Sequence, residues 1–155
     1  MTGLVWALLG AGIAIIGGGV GSAFGVSYAS RAAAGVVSED PDKFGKLMIF
    51  QLLPSTNVLY GFIVAFLVLM LTLLAPGGGA DLTIADGLKY FVACLPYAAV
   101  GMPSSITQAK VCVSCINMVG KNSEFLGRGI TLASFIEIVT LLSLVISIFI
   151  IFSIS

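Results

Sequence analysis

The chain has 155 residues, of which 59% are hydrophobic and only 9% are charged. Soluble domains carry about 25% charged residues, so this composition indicates a membrane protein. Seven basic and seven acidic residues give a net charge of zero, which argues against a nucleic-acid partner and against an acidic disordered tail. The expected surroundings are the lipid bilayer.

Four long, nearly uncharged runs each supply the roughly 20 residues that span a bilayer. They predict an all-α membrane protein with four transmembrane helices in two tandem hairpins. The first hairpin is expected at 1–75 with helices at about 4–30 and 47–75, an extracytoplasmic linker at 76–88, and the second hairpin at 89–155 with helices at about 89–118 and 129–154.

The lysines and arginines fall mainly in the connection within each hairpin. By the positive-inside rule these two connections are cytoplasmic, while both termini and the linker lie outside. We therefore expect a multi-pass protein of the plasma membrane.

Small residues recur at every fourth position in the first and third predicted helices. They are Gly17, Gly21 and Gly25 in the first helix, and Gly101, Ser105 and Ala109 in the third. Such stripes let helix backbones approach closely in lipid, so these two helices are expected to pack. A phosphate-binding loop is disfavoured, because no strand precedes the glycines and no Gly-Lys-Ser/Thr ending follows them.

The second predicted helix contains the unusually polar segment QLLPSTNVLYGF. Pro54 removes a backbone donor, so the helix is expected to bend there. The helical period places Leu53, Thr56, Asn57 and Tyr60 on one face. That face offers a hydroxyl, an amide, a phenol and a loosened carbonyl, and Gln108 on the third helix adds a second amide.

Glu137 is the one charged residue of the last predicted helix. An ionised acid at the bilayer centre costs about 2.5–3.5 kcal/mol, which makes it a transport hypothesis. It lies nine residues from Arg128, and Pro54 lies eight from Lys46, so both lie about 12–14 Å from the basic edge. Oxygens gathered at this depth could ligate Na⁺ or hold a protonated acid. Alternatively, these groups only bond helices together, although an amide would do so more cheaply.

A weak internal repeat relates the two hairpins with an offset of 82 residues. It aligns Glu137 with Ser55, so one hairpin carries the acid and the other does not. Three cysteines, Cys94, Cys112 and Cys115, occur without any histidine, so we interpret them as packing residues rather than a redox or metal site.

The two hairpins, the glycine stripe, QLLPSTNVLYGF, SSITQAK and the acid in SFIEIVTLLSLVIS together resemble the K (c, proteolipid) subunit of bacterial and archaeal V-type and A-type ATPases. The resemblance covers essentially the whole chain. It implies a non-catalytic protomer of a homo-oligomeric rotor ring, with the first and third helices inside and the second and fourth outside. The implied partners are a stator membrane subunit with an essential arginine and the central stalk subunits.

By the same resemblance, Glu137 carries the transported ion, and the Leu53 carbonyl, Thr56 and Gln108 complete its site. Tyr60 would lock the site by a hydrogen bond. Sodium-transporting members have Gln at the position of Asn57, so ligation by this shorter side chain stays open. We expect Na⁺ rather than H⁺ as the cargo, and no cofactor.

Two other classes of protein remain as alternatives. A small ion-coupled multidrug antiporter also uses four helices and a membrane glutamate, but that acid sits in its first helix. A four-helix thiol oxidoreductase would rest only on the C-x-x-C spacing of Cys112 and Cys115.

Overall fold

The computed structural model describes residues 2–74 and 82–154 of the chain. Its α-helices are α1 (Thr2–Glu39), α2 (Phe44–Leu52), α3 (Thr56–Thr72), α4 (Ile84–Lys121) and α5 (Leu126–Ile154). Short 3₁₀ turns occupy Pro41–Lys43, Leu53–Ser55 and Ser123–Phe125. Because α2 and α3 follow one another across a 3₁₀ turn, they act as one interrupted helix. The predicted all-α fold of two helical hairpins is confirmed.

The helices are longer than the apolar runs that predicted them. α1 continues to Glu39 and α4 spans Ile84–Lys121, because charged residues end an apolar run without ending a helix. Residues 75–81, which include the last residue of the predicted first hairpin and the start of the predicted linker at 76–88, lie outside the described residues. Just after that gap, the Thr83 side chain accepts a hydrogen bond from the backbone N–H of Asp86 and caps α4.

Three helices of the described chain are long and apolar enough to cross a membrane: Gly3–Glu39, Pro41–Thr72 and Ser123–Ile154. The structure has the four predicted long helices, and α4 is the one that does not meet this criterion of length and composition. α4 is less apolar in composition than α1 or α5. Several of its polar side chains are buried against neighbouring helices, among them Ser104, Ser105 and Gln108.

α1 packs most extensively against α4, and the small residues lie where the two backbones approach. A Cβ atom at Gly17 would lie 2.9 Å from the Ala98 carbonyl oxygen, and one at Gly21 would lie 2.8 Å from the Met102 Cα atom. Ser105 is buried completely in the same contact. The backbones are therefore too close for larger side chains.

Two apolar clusters lie at opposite ends of the bundle. The cluster near the chain termini surrounds Tyr97, and the cluster near the hairpin connections surrounds Phe50. A band of buried polar side chains separates them, including Asn57, Gln108 and Thr140. This band is where the predicted site residues meet.

Candidate ion-binding site

The site is built on the interruption between α2 and α3. Pro54 has no N–H group, so it cannot continue the helical hydrogen-bond ladder. A 3₁₀ turn over Leu53–Ser55 takes its place, at the residue where the sequence predicted a bend. The Thr56 hydroxyl lies 2.8 Å from the Leu53 carbonyl oxygen. The turn thus presents a carbonyl and a hydroxyl at the start of α3.

Glu137 of α5 reaches this turn and is held by three side chains. Its Oε1 accepts hydrogen bonds from the Thr56 hydroxyl and the Tyr60 phenol, both at 2.7 Å. Its Oε2 accepts a hydrogen bond from the Gln108 amide at 2.5 Å. The structure thus brings Glu137, Thr56, Tyr60 and Gln108 into one constellation drawn from α3, α4 and α5.

No basic side chain neutralises Glu137 within the described part of the chain. The ion pairs found there, Lys43–Asp40 and Lys89–Asp86, both lie near helix ends. The partners of Glu137 are all neutral groups. An ionised Glu137 would therefore need a counter-ion from outside the described residues.

The Thr56 hydroxyl has two acceptor oxygens within reach but only one proton to donate. It lies within hydrogen-bond distance of two acceptors, Glu137 Oε1 at 2.7 Å and the Leu53 carbonyl at 2.8 Å. A hydroxyl has one proton and can donate it to only one of them. A proton on the carboxyl group, or a small cation among these oxygens, would resolve the conflict.

Asn57 lies beside the site without touching the carboxyl group. It is completely buried, and its amide nitrogen lies 3.5 Å from the side-chain oxygen of Gln108. Its own side-chain oxygen is buried and has no hydrogen-bond partner among the described residues. Such orphaned oxygens are rare in native proteins and call for an explanation such as an ion or water.

Three side chains that the sequence does not mark as site residues bond to the backbone of the interruption between α2 and α3. The Ser22 hydroxyl accepts a hydrogen bond from the backbone N–H of Val58 at 3.0 Å. The Ser105 hydroxyl donates to the Pro54 carbonyl at 2.9 Å, and the Tyr97 phenol donates to the Asn57 carbonyl. The sequence predicts Ser105 only as a small packing residue, and nothing in it singles out Ser22.

The cysteines lie in the packed interior. Cys94, Cys112 and Cys115 are free thiols, and all are buried. The Cys115 thiol donates a weak hydrogen bond to the Gly129 carbonyl at 3.4 Å. The part of the chain that the structure describes holds no group of three or more His, Cys, Asp or Glu residues that could bind a metal.

The fold and the site define a multi-pass membrane protein with two helical hairpins and one buried acid among neutral oxygen and amide groups. The family of ATP synthase C subunits matches residues 9–68 and again residues 91–150. The chain therefore belongs to this family. Both ends of the second match lie 82 residues after those of the first, which is the offset of the predicted repeat.

Two relatives carry the comparison further. The chain is 39% identical over 145 residues to V-type sodium ATPase subunit K of Enterococcus hirae, covering 94% of this chain and 89% of that protein. It is 48% identical over 66 residues to A-type ATP synthase subunit K of Methanocaldococcus jannaschii, covering 43% of this chain and 30% of that protein. The predicted identification with K (c, proteolipid) subunits is confirmed. The family match also favours this class over the antiporter and the thiol oxidoreductase.

Proposed function

We propose that this chain is the non-catalytic, ion-carrying subunit of the rotor ring of a V-type or A-type ATPase, and that Glu137 carries Na⁺. The observation that carries the proposal is the position of the Glu137 carboxyl group, held by Thr56, Tyr60 and Gln108 at 2.5–2.7 Å. An intramembrane acid with several neutral partners and no basic one is suited to binding and releasing a cation.

The charge of the site favours a monovalent ion. One carboxylate balances one positive charge, whereas Ca²⁺ sites use several carboxylate and carbonyl oxygens around a double charge. The Leu53 carbonyl and Glu137 Oε1 both lie within 2.8 Å of the Thr56 hydroxyl oxygen. These are hard oxygen donors, which suit Na⁺.

Sodium is favoured over a proton by two further observations. The side-chain oxygen of Asn57 is buried and unpartnered among the described residues, and it could serve a cation directly or through a water molecule. The similar subunit from Enterococcus hirae is named as part of a sodium ATPase. A proton ring would need only the carboxyl group and one partner, so the extra oxygens would have no role.

The transport cycle follows from the cost of charge in lipid. While Glu137 faces the bilayer, bound Na⁺ keeps the site neutral, because an ionised carboxylate there is expensive. At the stator subunit, a basic group supplied by that partner, an arginine in our proposal, competes for the carboxylate and releases the ion. Tyr60 and Thr56 hold the carboxyl group inward between these events.

Rotation would be transmitted through the cytoplasmic connections. The Lys43 ammonium donates to the Gly120 carbonyl at 2.6 Å, which ties the first connection to the end of α4. The two connections then form one surface on which the central stalk subunits can dock. In this topology both termini and the linker lie outside the cell.

The proposal is tested by Glu137→Gln in the assembled complex. The amide keeps the shape of the side chain but cannot balance the charge of an ion, so rings should assemble while coupled ion transport stops. Asp86→Asn is the matched control, because Asp86 is an acid in the first turn of α4, roughly 33 Å along that helix from Gln108. Normal ion pumping by the Glu137→Gln complex would overturn the proposal.

A further inference from the structure

At the interruption, two serines from different helices bond to the backbone N–H and the backbone carbonyl that would bond to each other in a continuous helix. In a continuous α-helix, the N–H of Val58 would bond to the carbonyl of Pro54. Here that N–H donates to the Ser22 hydroxyl of α1 at 3.0 Å, and that carbonyl accepts from the Ser105 hydroxyl of α4 at 2.9 Å. α3 begins only at Thr56, so the pair lies at its first turn.

The two serines supply caps that the interrupted helix does not make for itself. The first N–H groups of a helix have no acceptor within that helix. Ser55, at the N-cap position of α3, makes no side-chain capping bond; its hydroxyl donates to the Leu52 carbonyl at 2.6 Å. Ser22 and Ser105 are both buried, with exposed fractions of 5% and 0%, which leaves little access for water to replace them.

The second hairpin provides an internal comparison. An offset of 82 residues relates Ser22 to Ser104 and Val58 to Thr140. These counterparts also meet, with their hydroxyl oxygens 2.5 Å apart. There, however, α5 runs without interruption through Leu126–Ile154, so Ser104 pairs with a side chain. Of the two equivalent serines, therefore, Ser22 caps a backbone group and Ser104 does not.

We infer that Ser22 and Ser105 are positioning residues for the ion site, an inference that rests on the proposed function. Neither is among the side chains that hold Glu137. By occupying the Val58 N–H and the Pro54 carbonyl, they keep the backbone from closing into a regular helix. The 3₁₀ turn thus stays open, and the Leu53 carbonyl and Thr56 hydroxyl remain directed at the acid.

The inference is tested in the intact ring with Ser22→Ala and Ser105→Ala. The measured quantity is the Na⁺ concentration that halves the rate of carbodiimide labelling of Glu137 at fixed pH. We expect this concentration to rise about three- to tenfold in either variant, the range for one lost hydrogen bond. Ser104→Ala is the matched control and should leave it unchanged.

A double variant separates positioning from general packing. Ser22 and Ser105 act on the two halves of one backbone pair, so the shift in Ser22→Ala/Ser105→Ala should differ from the product of the two single shifts. Equal shifts in Ser104→Ala, a double-variant shift equal to the product of the single shifts, or wild-type Na⁺ protection in both serine variants would overturn the inference.

The same experiment distinguishes failure of the proposed ion from failure of the positioning role. If Na⁺ does not slow labelling of the wild-type ring, sodium is the wrong ion. The readout is then the pH at which labelling is half-maximal. A shift in Ser22→Ala and Ser105→Ala but not in Ser104→Ala would support positioning, and no shift would contradict it.

Discussion

The close approach of α1 and α4 predicts that one methyl group at Gly21 destabilises the protein. In Gly21→Ala the new Cβ atom would lie 2.8 Å from the Met102 Cα atom and 2.9 Å from the Met102 carbonyl oxygen. Both neighbours are backbone atoms, which cannot rotate away as a side chain can. The helices must therefore separate by roughly 0.5–1 Å to restore ordinary contact distances near 3.5 Å.

The expected loss of stability is given relative to glycine-to-alanine substitutions elsewhere on α1. Overpacking of this kind costs about 1–3 kcal/mol, against a gain of about 1 kcal/mol from replacing glycine by alanine within a helix. Within the protomer, a new Cβ atom at Gly12 or Gly35 would meet nothing within 4 Å, so alanine there brings only the gain to the protomer. Gly21→Ala should therefore be about 1–3 kcal/mol less stable than Gly12→Ala or Gly35→Ala.

The assay is denaturant titration of the purified protein in detergent, followed by loss of helical circular dichroism and by ring dissociation on gels. All three variants carry the same added methyl group, so the comparison isolates the close contacts of position 21 with Met102 and Ser105. A Gly21→Ala protein as stable as the Gly12→Ala protein would show that the helices have room at this point, contrary to the close backbone contact.

The remaining predictions concern the site and the start of α4. Tyr60→Phe removes a hydrogen bond of 2.7 Å to Glu137 and should speed carbodiimide labelling about tenfold at fixed pH in intact rings; an unchanged rate would show that Tyr60 locks nothing. Thr83→Ala removes the cap of α4 and should cost about 1 kcal/mol, seen as faster amide exchange in the first turn. The ammonium of Lys89, and then the Thr83 hydroxyl, hold the pKa of Asp86 below its usual value. This contribution to the free energy of unfolding is complete above about pH 4 and is lost as pH falls through the lowered pKa. Asp86→Asn should remove this loss of stability at acid pH, and an equal loss in the variant would contradict the prediction.

Periodicity and depth were enough to predict which polar side chains meet. Thr56 and Tyr60 share one face of a helix, and the distances along the chain from the basic residues place Pro54 at the level of Glu137. The structure has both hydroxyl groups on Glu137 Oε1. These relations are visible in sequence because helical geometry is regular and the membrane fixes a common depth.

The role of each serine could not be predicted in the same way. Serine in a membrane helix can donate to the carbonyl of its own preceding turn, as Ser134 does to Ile130 at 2.9 Å. Ser22 has the same side chain but serves a backbone group on another helix. Which of these occurs depends on where the neighbouring ladder is interrupted, and that is a property of the packed bundle.

The surroundings of the polar side chains of α4 also depend on packing. Counting uncharged residues makes the third predicted helix one more lipid-spanning run. Within the described chain, α4 falls outside the helices apolar enough to span by composition, while its Ser104, Ser105 and Gln108 side chains make hydrogen bonds to neighbouring helices. Composition alone does not distinguish a polar residue facing lipid from one facing protein.

Sodium binding by Glu137 is tested most directly by carbodiimide labelling of the intact ring with and without Na⁺. We predict that the label falls on Glu137, that Na⁺ slows its attachment from neutral to mildly acidic pH, and that K⁺ at equal ionic strength does not. Labelling of Glu137 at a rate indifferent to Na⁺ across that pH range would contradict sodium binding and favour a proton-carrying ring.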